Sequence, residues 1–398
     1  MYLTYRRSCI PFALIALFLF GLALSLGPSP SALAADHSPK HVYILNNNVS
    51  GANSITTFNR ADDGSLSPRD TISIGGMGGL PAFSDGTQGS LILAHKGRKT
   101  RLFAVDAGSN QISVVKVHST YLSLAGVFPS GGVGPVSLTY KNGWLYVLNA
   151  ANGSNEAANV TGFRLDSKDM LQPIAGSTKP LSAAHPNPAQ IQIDPSGQFL
   201  VVTEKGTNLI DVYSIHSDGS LSGPSTFAAV GVYPFGMAFN PKAGQQFVVA
   251  NGMGGPNMTG GATAYVLMGG NVHLINGPVL NAQIAPCWMV ITGDGQFAYT
   301  SNADSQSISG YRIQENGTIS LLNANGVTAT TPSDTFPIEE SLSSNGQFLY
   351  VLDSRLLLKT PGPATLSGFL IHSDGSLTSV VNEAQITLPF STIGLAAE

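Results

Sequence analysis

The heptapeptide Ile-His-Ser-Asp-Gly-Ser-Leu occurs twice, at Ile215–Leu221 and again at Ile371–Leu377. Each copy places a histidine (His216, His372) close to a carboxylate, a combination that serves a metal site or an acid–base pair as readily as a turn. Related stretches decide between these readings. Arg60–Leu66 (Arg-Ala-Asp-Asp-Gly-Ser-Leu) and Gln314–Ile319 (Gln-Glu-Asn-Gly-Thr-Ile) keep Asp-Gly or Asn-Gly but carry Ala61 and Glu315 in place of the histidines. What persists is the dipeptide that a tight hairpin needs, because glycine tolerates positive φ. The heptapeptide is a turn used repeatedly, and its histidines carry no chemistry of their own.

Repeated turns imply repeated strands. The run Trp-Leu-Tyr-Val-Leu-Asn ending at Asn149 has six relatives, which end at Asn46, Asp106, Glu204, Asn251, Asn302 and Asp353, spaced 43 to 60 residues apart. Seven shorter β-rich runs follow them, among them Ile55–Phe58, Ile210–Tyr213 and Ile308–Tyr311. A third, Pro-led run precedes most of the first set, as at Pro188–Ile193, Pro234–Phe239, Pro286–Ile291 and Pro337–Leu342. Seven units of about 50 residues with about four short strands each predict an all-β, seven-bladed β-propeller. Pro389–Leu395 looks like one more Pro-led inner strand with no partners after it, while His41–Asn46 has no inner strand before it. The C-terminal strand should therefore pair with the N-terminal blade, closing the ring and removing a sheet edge.

The 398 residues carry a formal charge of −4 and only 11% charged side chains, which gives no electrostatic footprint for nucleic acid or an acidic membrane surface. Arg6 and Arg7, an apolar run over Ile10–Leu26 and Ala32-Leu33-Ala34 read as a signal peptide over residues 1–34, with a single propeller domain over 35–398. The expected location is secreted or periplasmic, with no membrane association after cleavage. Cys9 falls in the leader, so Cys287 is the one thiol of the expected mature chain and stability must come from packing.

In such a ring the ends of the second strands and the starts of the inner strands share one mouth of the central channel. Asn46, Asp106, Asn149, Glu204, Asn251, Asn302 and Asp353 are expected to form a polar ring there. Ser137, Gln190, Gly236, Trp288, Glu339, Glu340 and Ser391 should face the channel, with His185 and Lys205 in adjoining loops. Two places break the Asn/Asp pattern with longer ionisable groups, Glu204-Lys205 and Glu339-Glu340. Crowded carboxylates raise one another's pKa, which suits a general acid or base. Glu204, Glu339 and His185 are the catalytic candidates on this reading. Asn149, Lys205, Asn251, Trp288, Asn302 and Asp353 are the candidates for holding a small-molecule ligand. A ring of Asn, Asp and Glu would suit Ca²⁺, but no spacing establishes it, so no metal ligand and no other cofactor is assigned. A monomer is expected.

The inner-strand hairpin Asp194-Pro195-Ser196-Gly197-Gln198-Phe199-Leu200-Val201-Val202, with Ser301-Asn302 and Ser307-Ile308-Ser309-Gly310-Tyr311, resembles the lactonase family of seven-bladed propellers, which includes 6-phosphogluconolactonase and carboxymuconate cyclase relatives. The resemblance spans essentially the whole expected mature chain. It implies ring-opening or ring-closing chemistry at the channel, by groups drawn from a His-Pro-His segment, a Pro-Arg-His segment, an Asn-Glu strand end and a Ser-Asn-Arg strand end. The matching positions here are Asn187-Pro188-Ala189, Pro234-Phe235-Gly236, Ala250-Asn251 and Ser301-Asn302-Ala303. The family's arginines, histidines and glutamate are absent from them, so none of its catalytic residues carries over. Without the arginines there is no clamp for a phosphate or carboxylate, which argues against phosphogluconolactone. Two functions follow: a secreted hydrolase or isomerase acting on a small lactone or related ring compound, or a propeller that binds a ligand or protein without catalysis.

Overall fold

Runs such as Leu145–Leu148 and Leu200–Val202 are apolar at every position, as expected of strands covered on both faces, and each of these residues is fully buried. The computed structural model describes residues 40–79, 87–151, 154–355, 362–381 and 386–398. The expected leader lies outside the described residues. Pro39–Glu398 forms one compact unit, and among the described residues no helix is long and apolar enough to cross a membrane.

The architecture is a seven-bladed β-propeller made of seven antiparallel sheets. Blade 1 runs from the channel outwards as Thr392–Ala397, Lys40–Asn46, Ala52–Arg60 and Leu66–Met77. The inner strands of blades 2 to 7 are Leu91–Lys96, Pro135–Lys141, Pro188–Ile193, Val232–Phe239, Pro286–Ile291 and Phe336–Leu342. Blades 3 and 6 split their outer strand into two short pieces on the same neighbour.

Asp-Gly and Asn-Gly turns hold neighbouring blades together. In Ile215–Leu221 the His216 N–H donates to the Ser220 carbonyl at 2.9 Å, and Ile371–Leu377 repeats this from His372 to Ser376 at 2.9 Å. Gly219 and Gly375 sit at φ +83° and +89°. The freed carbonyls of these glycines accept buried hydroxyls from the preceding blade: Tyr146 on Gly219, Tyr299 on Gly375 and Tyr350 on Gly64, each at 2.8 Å. A Cβ on Gly64 or Gly375 would collide with the ring of Phe348 or Phe297. His216 and His372 point away from this contact and are exposed, as a turn reading requires.

The basic stretch Lys96–Arg101 contributes a second kind of joint. Arg101 is buried, and its guanidinium forms a two-pronged pair with Asp169 of blade 3 at 2.9 and 2.8 Å. Lys96 Nζ donates to the carbonyls of Leu165 and Asp166 at 2.5 and 3.0 Å.

Blade 1 closes the ring as expected, with Val42 opposite Ala397, Ile44 opposite Leu395 and Asn46 opposite Thr392. The closing strand begins three residues later than the Pro-led pattern suggests. Pro389 instead caps a turn in which its carbonyl accepts the Thr392 N–H at 3.2 Å and hydroxyl at 2.6 Å. Gly394, rather than Ser391, therefore occupies the channel-facing position of this blade. Arg60 reinforces the seam by donating twice to the Glu398 carbonyl oxygen, at 3.1 and 2.9 Å. Tyr43 donates to the Glu398 carboxylate at 3.1 Å. Deleting Thr392–Glu398 would expose the buried edge of Val42, Tyr43, Ile44 and Leu45. The truncated chain should lose its cooperative thermal transition by circular dichroism and elute as aggregate on size exclusion; a monomer melting near the full-length temperature would contradict this seam.

Candidate functional site

The strand-end ring lies where the repeat places it, but its side chains turn into their own blades. Each of the seven residues is buried. Each faces a position two residues into the third strand, which is a hydroxyl in six blades. Ser54 and Thr56 accept from Asn46 Nδ2 at 3.0 and 2.9 Å, and Ser113 donates to Asp106 at 2.7 Å. Thr263 donates to Asn251 at 2.6 Å, Ser309 accepts from Asn302 at 2.9 Å, and Ser367 donates to Asp353 at 2.6 Å. Asn149 donates to Asn159 at 3.0 Å and to the Ser130 carbonyl at 3.3 Å. These polar groups fasten each blade internally, and Asn53 of blade 1 and Asn281 of blade 5 also donate across the joint to Asp106 and Asn302, at 2.8 and 2.9 Å.

Blade 4 departs from the pattern because Asp211 replaces the hydroxyl opposite Glu204. The Ser182 N–H bridges both carboxyls at 3.1 Å, the Ser182 hydroxyl bonds Glu204, and Thr207 donates to Glu204 at 2.5 Å. Burial, reinforced by the charge of Glu204, pushes Asp211 well above the usual carboxylate range. The repulsion expected around Glu204 is thus present, with a partner inside the blade. His185 stands exposed in the loop before Pro188. Lys205 is buried with its ammonium 4.7 Å from the Phe235 ring centre and 5.9 Å from that of Tyr233.

Glu339 belongs to another network. A bulge in the inner strand of blade 7 leaves it between the paired residues Ile338 and Glu340, with φ at +51°. Its Oε1 accepts the Gly89 N–H at 3.0 Å and the Trp288 Nε1–H at 3.1 Å, and its Oε2 faces the Leu395 N–H at 3.4 Å. Burial outweighs these donors and raises its pKa to about 8. Glu204, Glu339 and His185 therefore do not share one hydrogen-bonded set.

The strand-end mouth is filled. Thr87, Gln88 and Gly89, which lead into blade 2, lie across it. The Gln88 side chain donates to the Met289 carbonyl at 2.8 Å and accepts the Met289 N–H at 3.0 Å. The Gln88 backbone donates to the Ala189 carbonyl at 3.2 Å and accepts the Ser137 hydroxyl at 2.5 Å. The Thr87 carbonyl accepts the Trp288 indole N–H at 3.0 Å. Around this plug, Ala189, Phe235, Cys287 and Trp288 form an apolar collar, with the rings of Phe235 and Trp288 5.0 Å apart. Cys287 is buried and not part of a disulfide.

Below the plug the channel is open. A cavity of 680 Å³ is lined by Gln88, Gln190, Gln192, Met237, Met289 and Glu340 at depth, and by the turns Thr292–Asp294 and Ser343–Gly346 at its outer end. A second cavity, of 240 Å³, shares Gln88, Gln190, Gln192 and Glu340. Glu340 is 5% exposed, and among the described residues neither carboxyl oxygen receives a hydrogen bond of standard geometry. Burial drives its pKa well up, opposed by the hydroxyl and N–H of Ser301. Asn149, Lys205, Asn251, Trp288, Asn302 and Asp353 line neither cavity. Gln88 and Gln192 escaped the sequence reading. The only hint was that blade 2 alone enters its inner strand through Gln-Gly-Ser instead of a Pro-led run. Among the described residues no three His, Cys, Asp or Glu side chains are grouped to hold a metal ion. The strand-end ring, committed to its own hydroxyls, does not fit the Ca²⁺ considered for it.

Fold and channel define a seven-bladed propeller with one closed mouth and a carboxyl-bearing channel. Residues 95–255 match the family described as Lactonase, 7-bladed beta-propeller, which bears out the resemblance carried by the Asp194–Val202 hairpin and its relatives. No curated protein sequence matches the chain. Among solved structures, a Bacteroides fragilis protein provisionally described as a 6-phosphogluconolactonase is 18% identical, with a TM-score of 0.67 over 94% of this chain and 100% of that one. The periplasmic gluconolactonase of Pseudomonas aeruginosa is 14% identical, with a TM-score of 0.65 over 90% of this chain and 99% of that one. A hypothetical selenium-binding protein of Sulfolobus tokodaii aligns almost as well, at 11% identity and a TM-score of 0.66 over 90% of this chain and 94% of that one. At these identities the neighbours establish the fold.

The buried carboxyls set a pH signature. Asp106 is raised to about 6 and Glu339 to about 8 by burial, and Asp211 and Glu340 move the same way. An acid whose folded pKa lies above its unfolded value binds more protons when folded, so its contribution is complete below the unfolded pKa and disappears as pH rises through the folded one. The thermal midpoint should therefore be higher near pH 5 than near pH 8.5. Glu339→Gln, which keeps an acceptor for Gly89 and Trp288, should flatten that slope. Glu339→Ala should lose about 1–3 kcal/mol by stranding the Gly89 N–H, while Trp288 keeps its bond to the Thr87 carbonyl. Melting curves across pH check both, and a midpoint that rises from pH 5 to 8.5 would refute the assignment.

Proposed function

We propose that this lactonase-type propeller hydrolyses a small lactone or related ring compound in its central channel, with Glu340 handling the proton. The observation that carries the reading is a carboxyl 5% exposed, in the wall of a 680 Å³ cavity, with neither oxygen in a standard hydrogen bond. A buried acid in no hydrogen bond of standard geometry, its proton affinity raised by burial, is suited to general base catalysis. In its ionised form Glu340 takes a proton from water as the water oxygen attacks the ring carbonyl. The bond from that carbon to the ring oxygen then breaks. The leaving oxygen collects the proton, and the product is a hydroxy acid. Gln190 and Gln192, on blade 4 across the channel, offer amide groups to hold the carbonyl as charge develops. Glu339 positions Glu340 and braces the plug instead of touching substrate.

Export to the periplasm or the outside belongs to this reading. It is supported by the leader-like residues 1–34 and by the periplasmic gluconolactonase among the structural neighbours. So does action as a monomer. A second reading, a propeller that binds such a ring without turning it over, is favoured by the residues standing in the family's motifs: Ala189, Phe235, Gly236, Asn251 and Ala303.

One assay separates the two. In a pH-stat, D-glucono-1,5-lactone, γ-butyrolactone and 6-phosphogluconolactone are each offered to the purified protein. Hydrolysis of an uncharged ring should exceed the spontaneous rate, climb with pH as Glu340 ionises, and fall roughly 10²-fold in Glu340→Gln. Binding of a ring with turnover at the spontaneous rate would replace the catalytic reading by the binding one.

A further inference from the structure

We propose that the channel is entered from the face formed by the turns between inner and second strands, opposite the strand-end mouth, and that it admits an uncharged, hydroxylated ring that seats beneath Gln88 against Glu340. This rests on the channel being the working site and adds the direction of access and the ligand class.

The direction follows from the plug. Gln88 and its neighbours touch every other blade. Gln88 is bonded to Ser137 of blade 3, Ala189 of blade 4 and Met289 of blade 6. Gly89 is bonded to Glu339 of blade 7. In blade 5 a Cβ on Gly236 would collide with the Gln88 amide oxygen, and in blade 1 a Cβ on Gly394 would come 2.7 Å from Ser90 Oγ. Both faces of the Gln88 amide are occupied, since its nitrogen and oxygen each pair with Met289. Passing a ligand through this mouth would break that pair and uncover the apolar collar beneath. At the other end, among the described residues, no comparable set of bonds crosses the opening. The large cavity runs from Gln88 to the turns Thr292–Asp294 and Ser343–Gly346, where Gly293, Asp294, Ser344 and Asn345 are exposed.

The ligand class follows from the lining. Among the described residues lining the two cavities there is no lysine or arginine, and the ionisable acids there are Asp294, Glu339 and Glu340. His372, at the outer rim of the large cavity, is the one basic side chain in that lining; at depth a phosphate or carboxylate on the ligand would meet no cation and would repel Glu340 when it ionises. Two groups are left wanting donors: the Glu340 carboxyl and the side-chain carbonyl of Gln192. Ligand hydroxyls satisfy both, while Met237 and Met289 offer soft apolar walls to the ring. The volume is that of a pocket for a small molecule.

The experiment blocks each face in turn. Ser344 lies on the turn face and Ser333 in the loop before blade 7 on the strand-end face, and both are exposed. Ser344→Cys and Ser333→Cys are each compared with and without a bulky maleimide, and wild type treated with the same reagent sets the baseline for Cys9 and Cys287. The binding probe is 1,5-anhydro-D-glucitol, an uncharged ring polyol that cannot be hydrolysed, followed by saturation-transfer NMR, with D-glucose 6-phosphate as the charged counterpart. The labelled Ser344→Cys protein should lose the signal, while the labelled Ser333→Cys protein keeps it. Glu340→Gln and Gln192→Leu should each weaken binding about tenfold by removing an acceptor. The reverse labelling pattern, or no effect of either label, overturns the direction of access. Equal binding of the phosphorylated ring, or no binding of the neutral one, overturns the ligand class. Binding blocked at Ser344 without lactone turnover leaves this site standing and removes the hydrolase reading. Turnover blocked only at Ser333 does the opposite.

Discussion

The ring depends on a small buried contact: a tyrosine hydroxyl from one blade held by the carbonyl of a turn glycine in the next. Tyr146 on Gly219, Tyr299 on Gly375 and Tyr350 on Gly64 share one geometry and one distance, 2.8 Å. The turn must run through positive φ to aim its carbonyl inward. It must also lack a Cβ, so that Phe297 or Phe348 can pack flat against it. A single such bond contributes only about 1 kcal/mol net, but it sits where two sheets meet and fixes the angle between them. Angles set blade by blade decide whether the seventh sheet meets the first. The ring then needs only the pairing of Thr392–Ala397 with Lys40–Asn46 to leave no open edge.

That dependence explains what the sequence could reveal. The turns and strand ends are local and recur, so blade number, strand order and closure all follow from periodicity. Register at the seam did not, because Thr392 takes the place that proline holds in other blades and Pro389 is used in a turn instead. The direction of the strand-end side chains was also hidden. Asn302 and Asp353 stand at the mouth, yet a pleated strand sends each into the sheet, where Ser309 and Ser367 wait on the next strand. The pair Glu204–Asp211 could have been found by aligning third strands, where a carboxylate replaces Ser or Thr once. Gln88 could not. Its partner Met289 is 201 residues away, and no local pattern announces a contact of that span.

Among the described residues, most buried acids are used by the fold, and Glu340 stands apart because neither of its oxygens is in a standard hydrogen bond. Asp106 is held by Asn53 and Ser113, Glu204 by Ser182 and Thr207, and Glu339 by Gly89 and Trp288. Each sits at a joint, and the raised proton affinity of Asp106 and Glu339 is a by-product of burial. Glu340 has no such joint. The corresponding inner-strand positions in other blades, Leu91, Leu138, Ile191, Met237, Met289 and Leu395, are all apolar. A carboxyl in that register gains nothing for packing. Departures from an otherwise consistent pattern that bring no stabilising partner are where function is expected.

The closed mouth and the missing ionic residues are one change seen twice. In the lactonase pattern that this chain resembles, the blade 5 segment reads Pro-Arg-His, whereas here Phe235 and Gly236 follow Pro234. Gly236 has no room for a Cβ because the Gln88 amide lies against it. A histidine there would expel Gln88 from its pairing with Met289, and an arginine at 235 would place a charge where Phe235 packs on Trp288 and Lys205. Conversely, a mouth holding arginine and histidine would leave the plug facing charged groups it has no means to satisfy. Neither arrangement tolerates half of the other. With the plug in place, the buried acid that lines the open channel without a standard hydrogen bond, among the described residues, is Glu340.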